Sequence, residues 1–164
     1  MIVIGCDPGL TGALSLIDGA RSELLDCQDV PTCDNGLATG SMKRWLDVPA
    51  LESLLQDWSR RWGFARESVH AAIERPIPMP SLPAQTIASQ FDTFGVLRSA
   101  LARLGDLEVV QPNVWKKIYG FGRDKDGARS CCLRLYPTAP VGRVKDHNRA
   151  EAILIGHWLL REVA

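Results

Sequence analysis

Residues 1–18 read MIVIGCDPGLTGALSLID. Ile2 to Cys6 is an unbroken apolar run, the pattern of a fully buried strand, and it drives straight into a carboxylate, Asp7. Pro8 and Gly9 turn the chain at once, and a second apolar run, Ala13 to Ile17, leaves from Gly12. A hairpin with an acidic tip is the plain reading. The sharper one is that Asp7 is held at the edge of a sheet to bind something.

Working outward, Glu23 to Val30 is a weaker third strand, and the glycine-bearing connections make the three an antiparallel meander. Pro31 to Ser41 is polar and reads as a loop. Asp47 to Trp62 has helical spacing, with Leu51, Leu54, Leu55 and Trp58 on one face and Gly63 as the stop. Val69 to Ile73 is a short buried strand that runs into Glu74, and the RPIPMPSLP that follows has four prolines, which forbid regular structure. Ala84 to Leu104 is a long helix striped by Ile87, Phe91, Phe94, Leu97 and Leu101, a stripe that reads as core before interface. Leu107 to Val110 is a strand, Val114–Tyr119 and Gly127–Leu135 are short helices around a GFG turn, and a last helix runs from near Asp146 to about Glu162. Meander strands followed by strands alternating with helices predict an α/β fold: one domain over residues 1–164, with a mixed sheet flanked by helices.

Composition narrows the class. The chain has 164 residues and zero net charge. It has no run of about 18 apolar residues, so no membrane span is expected. The N-terminus lacks a basic segment and a small-residue cleavage site, which predicts a cytoplasmic protein. Five cysteines without CxxC spacing argue against a disulfide framework or a zinc site. Charge is unevenly spread: between Asn113 and Arg149 nine basic side chains stand against three acidic ones. A basic third on a neutral chain is the footprint of a localised polyanion partner or a solvated helix face.

Two strands end in carboxylates, Asp7 and Glu74. If those strands are neighbours, the two acids meet at one sheet edge. The last helix opens DHNRAEAILIG, where His147 and Glu151 are four apart and share a face, and Asp146 is placed to cap. Glu151 lies among apolar residues, where an unpaired acid is costly. Gathered carboxylates repel, and a divalent cation offsets the repulsion; an all-oxygen ligand set favours Mg²⁺ or Mn²⁺ over zinc. Two such ions can hold a phosphodiester, activate a water and stabilise the leaving oxygen.

Taken together, IGCDPGLTGALSLID, AAIERP, PNVWKKIYGFGRDKDGAR and DHNRAEAILIGHWL, in that order, resemble the RuvC family of Holliday junction resolvases. The likeness spans nearly the whole chain and is nearest the short phage-type or organelle-type branch, which adds an organelle matrix to the expected locations. The resemblance implies a ribonuclease H-like fold with a five-stranded mixed sheet. It implies a homodimer that nicks two opposed strands of a four-way DNA junction, with two Mg²⁺ ions per site, Mn²⁺ substituting, and products bearing a 5′-phosphate and a 3′-hydroxyl. Asp7, Glu74 and Glu151 match the family's acids. Its fourth position falls at Asn148, so the fourth ligand is assigned to His147, with Asp146 in reserve. The resemblance makes Lys116, Lys117, Arg123, Lys125 and Arg129 phosphate contacts. It puts Ile77 and Met79 on a junction-probing loop, and makes Ala84–Leu104 the dimer-interface candidate.

Three other readings compete. An actin-like or sugar-kinase ATPase also opens on a Gly-Asp hairpin, but its two lobes need a much longer chain. A ribonuclease H or transposase-type nuclease, less selective for its branched DNA, lacks the PNVWKK segment. A junction-binding protein without cleavage would lack the acids, and three are present. The reading that uses every motif is a structure-selective endonuclease acting on branched DNA, with no small-molecule substrate.

Overall fold

A computed structural model describes residues 1–34, 36, 44–121 and 124–163. Strand β1 (Ile2–Asp7) pairs antiparallel with β2 (Ala13–Asp18), which pairs antiparallel with β3 (Glu23–Asp29). On the other side of β1 lies β6 (Val69–Glu74), parallel to it, and β7 (Asp106–Val110) is parallel to β6. The sheet therefore has five strands in the order β3-β2-β1-β6-β7, the mixed sheet expected from the sequence. Helices α1 (Val48–Trp62) and α2 (Ala84–Leu104) supply one core, and α3 (Pro112–Tyr119), α4 (Lys125–Leu135) and α5 (His147–Val163) supply the other.

Side chains alternate across a strand, and this alternation decides which acids can meet. Ile4 and Cys6 of β1, with Ala71 and Ile73 of β6, pack into the α1/α2 core. Val3 and Ala72 pack into the α5 core. Asp7 and Glu74 have the parity of the second set, so both belong to the α5 face. The register pairs Cys6 with Ile73, which leaves Asp7 and Glu74 side by side at the next step.

Helix α5 can come close to the sheet because β1 has no side chain where the two cross. A Cβ on Gly5 would lie 2.1 Å from the Ala152 carbonyl oxygen and 2.3 Å from the Gly156 nitrogen. Ser15 Oγ on the neighbouring strand donates to the same Ala152 oxygen at 2.9 Å. At the other end of the hairpin, a Cβ on Gly12 would lie 2.0 Å from the Asp7 carbonyl oxygen. The turn that presents Asp7 thus requires glycine at its exit.

Several expectations shift. Within the segment read as a loop, Thr32–Asp34 forms β4 and pairs with β5 (Arg44–Leu46); residues 35 and 37–41 lie outside the described residues. Strands of three residues each leave too little alternation to read. Helix α3 starts at Pro112, a residue whose fixed φ suits the first helical position, and α4 begins two residues earlier than predicted because Asp124 caps it through the Asp126 N–H. Asp146 does not cap α5: it ends a 3₁₀ turn, Val144–Asp146, and its carboxylate reaches back to the Arg143 N–H and guanidinium. On α2, Phe94 is core at 8 % exposed while Phe91 is 36 % exposed. No helix among the described residues is long and apolar enough to cross a membrane.

The Gly5 contact yields the first prediction. Gly5→Ala forces backbone apart and costs at least ~3 kcal/mol in urea unfolding, the upper range for overpacking. Gly156→Ala meets only side chains first, at 3.0 Å, and costs about 1–2 kcal/mol by the same measurement.

Candidate active site

Three acids converge where β1, β6 and α5 meet. One carboxylate oxygen from each of Asp7, Glu74 and Glu151 lies within 4.8 Å of the others, and all three side chains are half-buried. The strand ends bring two of them, and the Gly5–Gly156 crossing brings the third, one turn earlier along α5.

Helix α3 holds this negative cluster from the side with consecutive residues. Trp115 is 0 % exposed, and its Nε1 donates to Glu74 Oε2 at 2.7 Å. The Lys116 ammonium donates to both Glu151 oxygens at 3.0 Å and lies 5.0 Å from the Trp115 ring centre. Phe121 and Tyr119 meet the indole edge-on, and Tyr119 is fixed in turn to the Leu154 carbonyl and His157 Nδ1. The indole direction is therefore set by packing. Nothing in the sequence signals the Trp115 bond to Glu74; an indole next to a lysine, one helix away from an acid, has no spacing signature.

The electrostatics follow from the crowding. Burial, then the charges of Glu151 and Glu74, push the Asp7 carboxyl well above its ordinary range, with Lys116 opposing. Burial also raises Glu74, against the pull of Lys116 and the Trp115 hydrogen bond. Among the described residues no histidine or cysteine joins the three acids. The donor set is all oxygen, partly desolvated and short of positive charge, which fits a hard divalent cation.

The fourth position is not filled by the residues expected there. His147 stands outside the carboxylate group, with Nδ1 3.4 Å from the Val144 carbonyl oxygen. Asn148 donates to the Thr11 carbonyl, tying the first turn of α5 to the turn after Asp7. Asp146 is occupied by Arg143, whose guanidinium holds its carboxyl well below the usual range. A four-residue spacing puts His147 on the side of Glu151, but the 3₁₀ turn just before it holds the ring on the Val144 carbonyl, away from the group.

The predicted phosphate contacts divide. Lys116 is inside the site and Lys117 is exposed beside it. Arg129 turns inward: its guanidinium donates to the carbonyls of Val141 and Gly142 and to Asp126. Arg123 and the side chain of Lys125 lie outside the described residues. Ile77 and Met79 are both exposed on the proline segment.

No family model matches the chain, and no curated protein matches it. Solved structures do. Thermus thermophilus RuvC in complex with a Holliday junction substrate superposes with a TM-score of 0.68 at 15 % identity, covering 99 % of this chain and 96 % of that one. The chain has the RuvC fold. A second Thermus thermophilus RuvC structure gives a TM-score of 0.65 at 18 % identity, over 99 % and 97 % of the two chains. The yeast mitochondrial Holliday junction resolvase Ydc2 gives 0.56 at 14 % identity, over 97 % of this chain and 77 % of that one. The ribonuclease H-like expectation for the sheet is met.

The raised carboxyls set a stability prediction. A group that holds its proton more tightly when folded favours folding as pH falls, from its raised folded value toward the ordinary value near 4. In EDTA, metal-free protein therefore gains stability as pH drops from neutral toward about 5. Asp7→Asn removes much of that slope and raises Tm at pH 7 by about 2–4 °C for each ~1 kcal/mol of repulsion relieved, read by thermal unfolding.

Proposed function

We propose that the chain is a Mg²⁺-dependent endonuclease that resolves four-way DNA junctions by paired, symmetric nicks. The observation that carries the reading is the convergence of Asp7, Glu74 and Glu151 within 4.8 Å beside Lys116. The likeness in fold to a RuvC in complex with a Holliday junction substrate supports the choice of substrate.

In this reading Asp7, Glu74 and Glu151 hold the metal, as two Mg²⁺ ions or Mn²⁺ in their place. Bound there, a divalent cation neutralises the scissile phosphodiester and supplies an activated water. The chain's own residues do the rest. Trp115 aims one Glu74 oxygen and spares it the cost of a missing partner. Lys116 balances Glu151 before the ion arrives, then is free to turn its ammonium to a phosphate oxygen, a point-charge contact suited to lysine. Lys117 extends phosphate contact along the same flank, and Arg123 and Lys125 are further phosphate contacts in this reading. Ile77 and Met79 meet the junction centre from the proline segment. His147, on the first turn of α5, assists as ligand or proton carrier. Two opposed nicks require two sites related by a two-fold axis, which an isologous homodimer supplies, and the exposed Phe91 edge of α2 is its contact surface.

A labelled four-way junction, a matched linear duplex, Mg²⁺ and EDTA test this directly. Paired nicks appear in the junction alone and vanish with EDTA. Asp7→Asn, Glu74→Gln and Glu151→Gln each lower the rate by roughly 100-fold or more, the equivalent of the several kcal/mol a catalytic metal supplies. Junction binding without cutting in Mg²⁺ and Mn²⁺ would replace the resolvase reading with a junction-binding one, which the unfilled fourth position favours. Trp115→Phe keeps the apolar core but releases Glu74, and Mn²⁺ titration calorimetry is expected to show affinity lowered by about 10–100-fold.

A further inference from the structure

A cleft of about 920 Å³ opens where the β4–β5 ribbon faces the loop before α5. Four of its lining residues are permanent cations: Arg44, Arg143, Lys145 and Arg149. Its two acids are already answered, Asp146 by Arg143 and Asp29 by a two-pronged Arg149 contact at 2.6 and 2.9 Å. Arg44 and Lys145 carry no ion pair among the described residues. The wall is also built to stay in place. Arg129 grips the carbonyls of Val141 and Gly142 at 3.1 Å, and Arg143 is locked against Asp146, so the loop presents its charges in a fixed array.

The cleft is joined to the carboxylates. Thr11, on its lining, belongs to the turn that follows Asp7, and Asn148, also lining it, bonds the Thr11 carbonyl. Asn148 precedes Glu151 by three residues, about 4.5 Å along a helix axis. A polyanion lying in the cleft therefore reaches the turn that follows Asp7 and comes within about one helical turn of Glu151. A single small anion would leave most of this volume empty, whereas a strand backbone carries repeated charge along it.

We infer that this cleft is a second anchoring track that holds the sugar–phosphate backbone of one junction arm, separate from the Lys116–Lys117 flank. Arg44 and Lys145 contact the phosphates, and Arg129 is a positioning residue for the loop. The inference rests on the junction-resolving reading and adds to it the path of a DNA arm. Contacts of this kind fix register and orientation without reading bases.

The test is binding of a fluorescein-labelled four-way junction to the full chain in EDTA across a salt series. For the Arg44→Gln/Lys145→Gln double variant, the slope of log K against log salt falls by about 1.8, at ~0.9 per phosphate contact, and affinity at the lowest salt drops at least about tenfold. Arg60→Gln/Arg103→Gln, which removes equal charge from α1 and α2, leaves the slope within error. With Mg²⁺, the cleft variant raises KM for the junction and keeps kcat. Junction binding by the unmodified chain with an unaltered slope in the cleft variant overturns the cleft alone. An equal loss of slope in both double variants overturns it too, since net charge then explains the effect. No junction binding by the unmodified chain overturns the functional reading and the cleft with it.

Discussion

The contact on which the rest depends is the crossing of α5 over β1, where Gly5 meets Ala152 and Gly156 backbone to backbone. A side chain at Gly5 would hold the helix away from the sheet. Without that closeness Glu151 would sit too far from the strand ends to share a cation with Asp7 and Glu74. The same crossing is sealed by Ser15, which donates to the Ala152 carbonyl from β2, so its own buried hydroxyl is partnered. A fold-level feature, close helix–sheet packing, is therefore also the device that assembles the candidate site.

Assembly of the acids has an electrostatic cost that neighbouring elements offset. Two carboxyls are raised by burial and mutual repulsion, and helix α3 answers with an indole N–H to one acid and an ammonium to another. Lys116 is a resident countercharge, and a divalent cation entering the group competes with it for Glu151. Function-bearing groups held against their own preference are expected at sites of chemistry, and the stability given up there is recovered in the two apolar cores on either side of the sheet.

The cations around the site fall into two kinds. Arg129, Arg143 and Arg149 are spent on the protein itself, gripping carbonyls or carboxylates so that the loop before α5 is stiff. Lys117, Lys145 and Arg44 have no such employment among the described residues, and they flank the acids on two sides. A basic stretch in the sequence does not separate the two kinds, because an inward and an outward arginine are spelled alike. Arg44 illustrates the reverse: it stands far from the basic third of the chain, and only the β4–β5 pairing brings it to the cleft.

Local patterns in the chain determined the strands that end in Asp7 and Glu74, the long α2 helix, and the order of the sheet-forming segments. These follow from periodicity and from proline and glycine punctuation, which act over a few residues and are readable in one dimension. The pairing of Asp7 with Glu74 follows from strand parity once the two strands are neighbours. Tertiary structure alone decided the rest. Trp115 reaches Glu74 across forty-one positions of sequence, Lys116 reaches Glu151 across thirty-five, and His147, on the expected side of α5, is held away by a 3₁₀ turn that its spacing does not encode. Such contacts depend on how helices are seated on the sheet, and that seating is set by close-packed shapes summed over both cores, which no local window contains.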